Sequence, residues 1–104
     1  MIGYIEYINP ISDIGPGIRF LISMKSNKIE ISSDLLHRKL LKYRHFYTDG
    51  GITIVDIDLS QKDFVIDLLK RCKMTNLSTC LVLDEVLDDK DILRYVDIIE
   101  YKKV

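Results

Sequence analysis

The stretch GITIVDIDLSQKDFVIDLLKRCKMTNLSTCLVLD, Gly51 to Asp84, decides the architecture. GITIVDI (51–57) is a near-continuous apolar run rich in β-branched residues, the composition of a strand covered on both faces. SQKDFVIDLLKRCK (60–73) changes period. Phe64, Ile66, Leu68, Leu69 and Cys72 supply its apolar helix positions, and Ser60 stands where a cap belongs. STCLVLD (78–84) is a second buried strand. Strand, helix and strand in so short a space pair in parallel through a right-handed crossover. The expected class is α/β.

Outward from this unit the pattern continues. DDKDILRYV (88–96) reads as a short helix and DIIEYKK (97–103) as a last strand. Upstream, SSDLLHRKLLKYRHFY (32–47) is a helix with Leu36, Leu40, Tyr43 and Tyr47 on its apolar side. His37, Arg38, Lys39, Lys42 and Arg44 form its polar side. Ser32 or Ser33 caps it, Asp34 suits its first turn, and TDGG (48–51) ends it. IGYIEYI (2–8) and GIRFLISM (17–24) read as paired strands joined by the turn-rich NPISDIGPG (9–17). KSNK (25–28) is a turn and IEIS (29–32) a short extended piece. The expectation is a single domain over residues 1–104, a mostly parallel sheet with crossover helices and an N-terminal strand pair.

Charge and composition exclude some classes. A net charge of −1 exerts no global pull on nucleic acid or anionic membrane. MIGYIEYINP carries no basic segment ahead of an apolar run, and no window approaches the ~20 apolar residues of a membrane span. Cytoplasmic location without membrane association is expected. Cys72 and Cys80 are too few for a disulfide framework and read as small buried hydrophobes in a reducing compartment.

Several words then occur in a telling order: ISDIGPGIRF (11–20), LLKYRHFY (40–47), GGIT (50–53), DFVIDLLKRCK (63–73) and VDIIEYK (96–102). The chain resembles the activating enzymes of glycyl radical enzymes, pyruvate formate-lyase activating enzyme among them, in the radical S-adenosylmethionine superfamily. The resemblance runs over nearly the whole chain but covers about the first half of such an enzyme. It implies the first half of a partial (βα) barrel. It also implies what catalysis there requires: a CxxxCxxC loop for an iron–sulfur cluster and a glycine-rich SGGEP phrase for the cofactor. Between Phe20 and Ser32 this chain has no cysteine, and TIVDIDLSQ (53–61) stands where the glycine phrase belongs. Cys72 and Cys80 fall too far downstream to be loop ligands. The resemblance therefore implies a shortened, non-catalytic relative without a cofactor. Such a chain would bind a protein partner, a glycyl radical enzyme being the first candidate, as adaptor, decoy or inhibitor. The alternative is one component of a split radical enzyme whose cluster another chain supplies.

Four candidate sites follow. In the resembled family the GPG region lies near the opening through which the partner's glycyl loop enters, so Gly15, Pro16, Gly17 and Arg19 are candidate partner contacts. Read plainly, GPG is a turn. Arg38, Lys39, Lys42 and Arg44 are a candidate phosphate-binding face, or simply the solvated side of a helix. Asp56, Asp58 and Asp84 fall near strand C-termini, where open α/β sheets place ligands; they could hold Mg²⁺, or cap helices and solubilise loops. Finally, a parallel sheet that stops at DIIEYKK leaves an edge open to another protein or to a second copy, with Lys102 and Lys103 as charged gatekeepers.

Overall fold

The β-branched runs become strands and the amphipathic runs become helices, with the caps that their flanking residues allow. The computed structural model describes residues 1–102. Its strands are β1 (Ile2–Ile5), β2 (Tyr7–Ser12), β3 (Arg19–Ser23), β4 (Ile29–Ser32), β5 (Gly51–Val55), β6 (Ser78–Leu83) and β7 (Ile98–Tyr101). Its helices are α1 (Ser33–Lys42), α2 (Lys62–Met74) and α3 (Lys90–Leu93), with single 3-10 turns at Arg44–Phe46 and Leu59–Gln61.

Five strands form one mixed sheet in the order β2-β3-β5-β6-β7; β1 and β4 form a separate antiparallel ribbon. β2 runs antiparallel to β3, and the remaining pairs are parallel. The class is α/β, as the sequence implies. The parallel strands lie side by side in chain order, so right-handed crossovers put α1, α2 and α3 on the same face. There Phe20, Ile22, Ile52, Ile54, Leu81 and Leu83 meet Leu36, Leu40, Phe64, Leu68, Leu69 and Ile92 in one core. Each such side chain contributes about 1.5–3 kcal/mol by leaving water. Alternate strand residues, among them Leu21, Thr53, Val55 and Cys80, point to the opposite face and are buried as well.

The N-terminal pairing differs from expectation. IGYIEYI is two strands, divided at Glu6, and the piece that follows extends through Pro10 to Ser12. Glu6 marks the break because its N–H bonds Ser23 O at 2.7 Å while its carboxylate accepts from the Ser23 and Ser26 hydroxyls at 2.9 and 3.1 Å. Tyr7 and Ile8 do pair with β3, opposite Ser23 and Ile22, but Ile2–Ile5 pairs with β4. A strand can run through Pro10 because β2 is an edge strand whose register slips between Asn9 and Ser12.

Two caps resolve differently as well. Ser32 caps α1, its Oγ accepting from Leu35 N–H at 3.0 Å, while the Ser33 hydroxyl donates to Asp67 of α2. Ser60 does not cap α2. Asp58 caps the preceding 3-10 turn, and Ser60 donates to it from N–H at 3.0 Å and from Oγ at 2.7 Å. His37, expected on the polar side of α1, is buried, its Nε2 3.0 Å from Thr75 Oγ1 beyond the end of α2. Tyr43, expected on the apolar side, is exposed.

Candidate functional site

GPG forms the centre of a loop, residues 13–18, that folds over one end of the helix-free sheet face. Gly15 has φ 101° and Gly17 φ 75°, backbone that favours glycine. Space enforces the same choice, since a Cβ on Gly17 would lie 2.5 Å from Asp49 O.

Arg19, the first residue of β3, is fully buried, with 0% of its surface exposed. Its Nε donates to Thr53 Oγ1 at 2.7 Å and its Nη1 to Pro16 O at 2.8 Å. Nη2 donates to Ile52 O at 2.8 Å and to Ser78 O at 3.0 Å. Thr53 Oγ1 in turn donates to Ile14 O at 2.9 Å. One guanidinium thus ties β3, β5 and β6 to the loop at Pro16, and the Thr53 hydroxyl adds a second tie at Ile14. Among the described residues no carboxylate forms an ion pair with it. Burial lowers its pKa from the ordinary arginine value. A charge removed from water is costly, and charge-assisted bonds to carbonyls are what offset that cost here.

The candidate partner contacts therefore divide. Gly15, Pro16 and Gly17 shape the loop, and Pro16 and Gly17 are exposed; Arg19 holds it from beneath and meets no solvent. The side chains that the loop presents are Ile14, 40% exposed, and Ile18, 44% exposed, with Ile11 of β2 nearby in sequence and also exposed. Just after the Arg44–Phe46 turn, Tyr47 Oη donates to Pro10 O at 2.5 Å, and burial lifts its pKa to about 12.

The acidic residues at the other end of the strands do not act as a set. Lys102 Nζ lies 2.6 Å from Asp56 Oδ1 and 3.5 Å from Asp84 Oδ1. Asp58 borders the same groove as Asp56 and Asp84 but accepts from Ser60 and Gln61, and those hydrogen bonds hold its carboxyl below the usual range. Among the described residues no three His, Cys, Asp or Glu side chains converge as metal ligands. A groove of about 460 Å³ opens beside this point, lined by Lys25, Ser26, Asn27, Asp56 and Asp84 among others. Lys102 is thus an ion-pair partner over the strand ends, and Lys103 lies outside the described residues.

The basic helix shows a mixed surface. Arg38, Lys39, Lys42 and Arg44 are exposed, and Arg38 pairs with Asp34 at 2.9 Å one turn earlier. Lys39 and Lys42 border a hollow of about 200 Å³ whose floor includes Ile8, Pro10 and Phe20. Cys72 and Cys80 are both free and buried, and burial pushes the Cys72 thiol up to about 12. They stand on opposite faces of the sheet, Cys72 within the helical core.

The roles of Thr53 and Gln61 were not legible in the sequence. Thr53 gives no signal beyond being a polar residue inside an apolar strand. Gln61 gives none: its side-chain amide accepts from Tyr4 N–H at 2.6 Å and donates to Tyr4 O at 3.0 Å, 57 residues away.

The chain matches no protein-family model, and no curated protein matches it. Among the described residues no helix is long and apolar enough to cross a membrane.

Proposed function

We propose that this protein is a non-catalytic binding protein that presents the 13–18 loop to a protein partner. The observation behind this reading is the buried Arg19 with its bonds to Thr53, Pro16, Ile52 and Ser78. A guanidinium without a carboxylate is a costly way to brace a sheet end, and the bonds to Pro16 and, through Thr53, to Ile14 fix one loop conformation. Fixing a loop before binding removes part of the ordering cost of association. Ile14 and Ile18 then act as apolar anchors of the kind that carry binding energy. The resemblance in GPGIRF gives the partner class, a glycyl radical enzyme, and makes the scaffold a relative of the activating enzymes, acting as adaptor, decoy or inhibitor.

A second reading, the split radical enzyme, has one observation in its favour. The parallel sheet ends in β7, and another chain could continue it there.

Affinity capture from host extract under anaerobic conditions, with wild type beside the double variant Ile14→Asp, Ile18→Asp, tests both. Capture of a glycyl radical enzyme by wild type and its loss in the folded variant support the loop reading. Equal capture by both proteins removes it. A captured cysteine-bearing radical-enzyme fragment, retained by the variant, favours the split enzyme.

A further inference from the structure

The basic residues of α1 do not share one environment. Arg38 pairs with Asp34 at 2.9 Å. Lys39 and Lys42, three positions apart and so on one face of the helix, have no ion-pair partner among the described residues. Both border the hollow of about 200 Å³ between the last turns of α1 and the strands β2 and β3. Ile8, Pro10, Phe20 and Tyr43 supply the rest of its lining.

That lining says what the space accepts. Three of its four apolar residues, Pro10, Phe20 and Tyr43, carry rings, and no acid is among the residues around it. Phe20 is buried and Tyr43 is partly exposed, so the hollow is apolar at depth and open at its mouth. An apolar cavity of about 150 Å³ is enough to hold benzene, and this volume suits a body of one ring. Charge fixes the other end of the ligand. Cations in a last turn offset the negative end of the helix dipole, which amounts to about half an elementary charge. Two ammoniums exceed that, and the mouth keeps a positive excess for an anion to match. A neutral apolar molecule leaves the excess unmatched, and a bare phosphate leaves the ring-lined floor in water. A single ring that carries a carboxylate meets both demands.

We propose that this hollow binds a small aromatic carboxylate, its ring against Pro10, Phe20 and Tyr43 and its carboxylate at Lys39 and Lys42. Ile14 and Ile18 take no part in the hollow, so the site stands apart from the role given to the 13–18 loop.

The test titrates phenylacetate into the ¹⁵N-labelled full chain at neutral pH and low salt, beside its neutral counterpart phenylacetamide and inorganic phosphate. The expected result is saturable shifts at the amides of Ile8, Phe20, Lys42 and Tyr43. The Kd for phenylacetate is about 1 mM or tighter, as a ligand of about ten non-hydrogen atoms reaches at modest efficiency. Phenylacetamide binds about fivefold more weakly, the discrimination that two exposed ion pairs supply. The double variant Lys39→Gln, Lys42→Gln, at two exposed positions, erases that preference while the ring still binds. Tyr43→Ala weakens both ligands; should it fail to fold, the double variant alone decides. An absence of saturable shifts at these amides well above that Kd overturns the proposal. Equal affinity for the two ligands does so as well, and so does a preference that survives in the double variant. Inorganic phosphate bound there as tightly as phenylacetate also overturns it, in favour of a bare anion face. None of these readouts involves Ile14 or Ile18, so failure here leaves the loop reading standing.

Discussion

Arg19 shows how far a single residue can be read before the fold is known. The word GPGIRF drew attention to it as a surface contact, but the structure puts it under the loop with four bonds to oxygen. Nothing in a one-dimensional pattern separates an arginine that faces a partner from one that faces three strands of its own sheet. The glycines were legible, because positive φ is a local demand and GPG is a local signal. The consequence is testable. Arg19→Met removes four charge-assisted hydrogen bonds, to Thr53 Oγ1 and three carbonyls, and should lower stability by on the order of 3 kcal/mol, read as a fall in the urea midpoint. Arg19→Lys should recover little of this, since an ammonium offers its donors from one point and cannot span β3, β5 and β6. Gly17→Ala puts a Cβ 2.5 Å from Asp49 O at φ 75°, and should cost about 1–3 kcal/mol by the same measurement. Because Arg19 is internal, loss of partner binding in an Arg19→Glu variant would report misfolding; Ile14 and Ile18 are the informative positions.

Among the elements, helix ends and the α1–α2 seam depend on features the sequence shows in part. α2 stops in a hydrogen-bonded turn: Leu77 N–H bonds Cys72 O at 3.0 Å and Asn76 N–H bonds Lys73 O at 3.2 Å, with Asn76 at φ 62°. This is the left-handed helix end that glycine suits best and asparagine next. Asn76→Gly should be neutral or stabilising by up to ~1 kcal/mol, and Asn76→Ala destabilising by about 1 kcal/mol, read from thermal midpoints. The α2 pattern in sequence gave its length well, because apolar spacing is a local property. The seam with α1 was not legible, since Ser33, Asp34 and His37 meet Asp67, Arg71 and Thr75 across more than 30 residues.

His37 illustrates the cost of that seam. Burial first, then the Arg71 guanidinium, lowers its pKa, against the smaller pull of Asp34 and Asp67. The unfolded chain therefore takes up a proton at this site at higher pH than the folded one. As pH falls through about 6.5 the unfolded state gains, so the contribution of His37 to stability declines below that point. Urea midpoints of wild type should fall from pH 7.5 to 5.5 more steeply than those of His37→Gln.

At the scale of the whole molecule, the parallel ladder β3-β5-β6-β7 was the most legible feature, because buried strands alternating with amphipathic helices leave few topologies open. The N-terminal ribbon was the least legible. Its strands pair across the chain, β1 with β4, and the division at Glu6 depends on hydroxyls of Ser23 and Ser26 that no local pattern connects to it. Winding in one direction leaves one face to the helices and the other to the loop that Arg19 holds. It also sets what happens while the chain is being made. Each parallel strand has for its neighbour the one that left the ribosome just before it in the ladder, so β5 meets a finished β3, β6 a finished β5, and β7 a finished β6. No strand of the ladder waits for a later one before it can dock, and each crossover helix covers its portion of the core as synthesis proceeds.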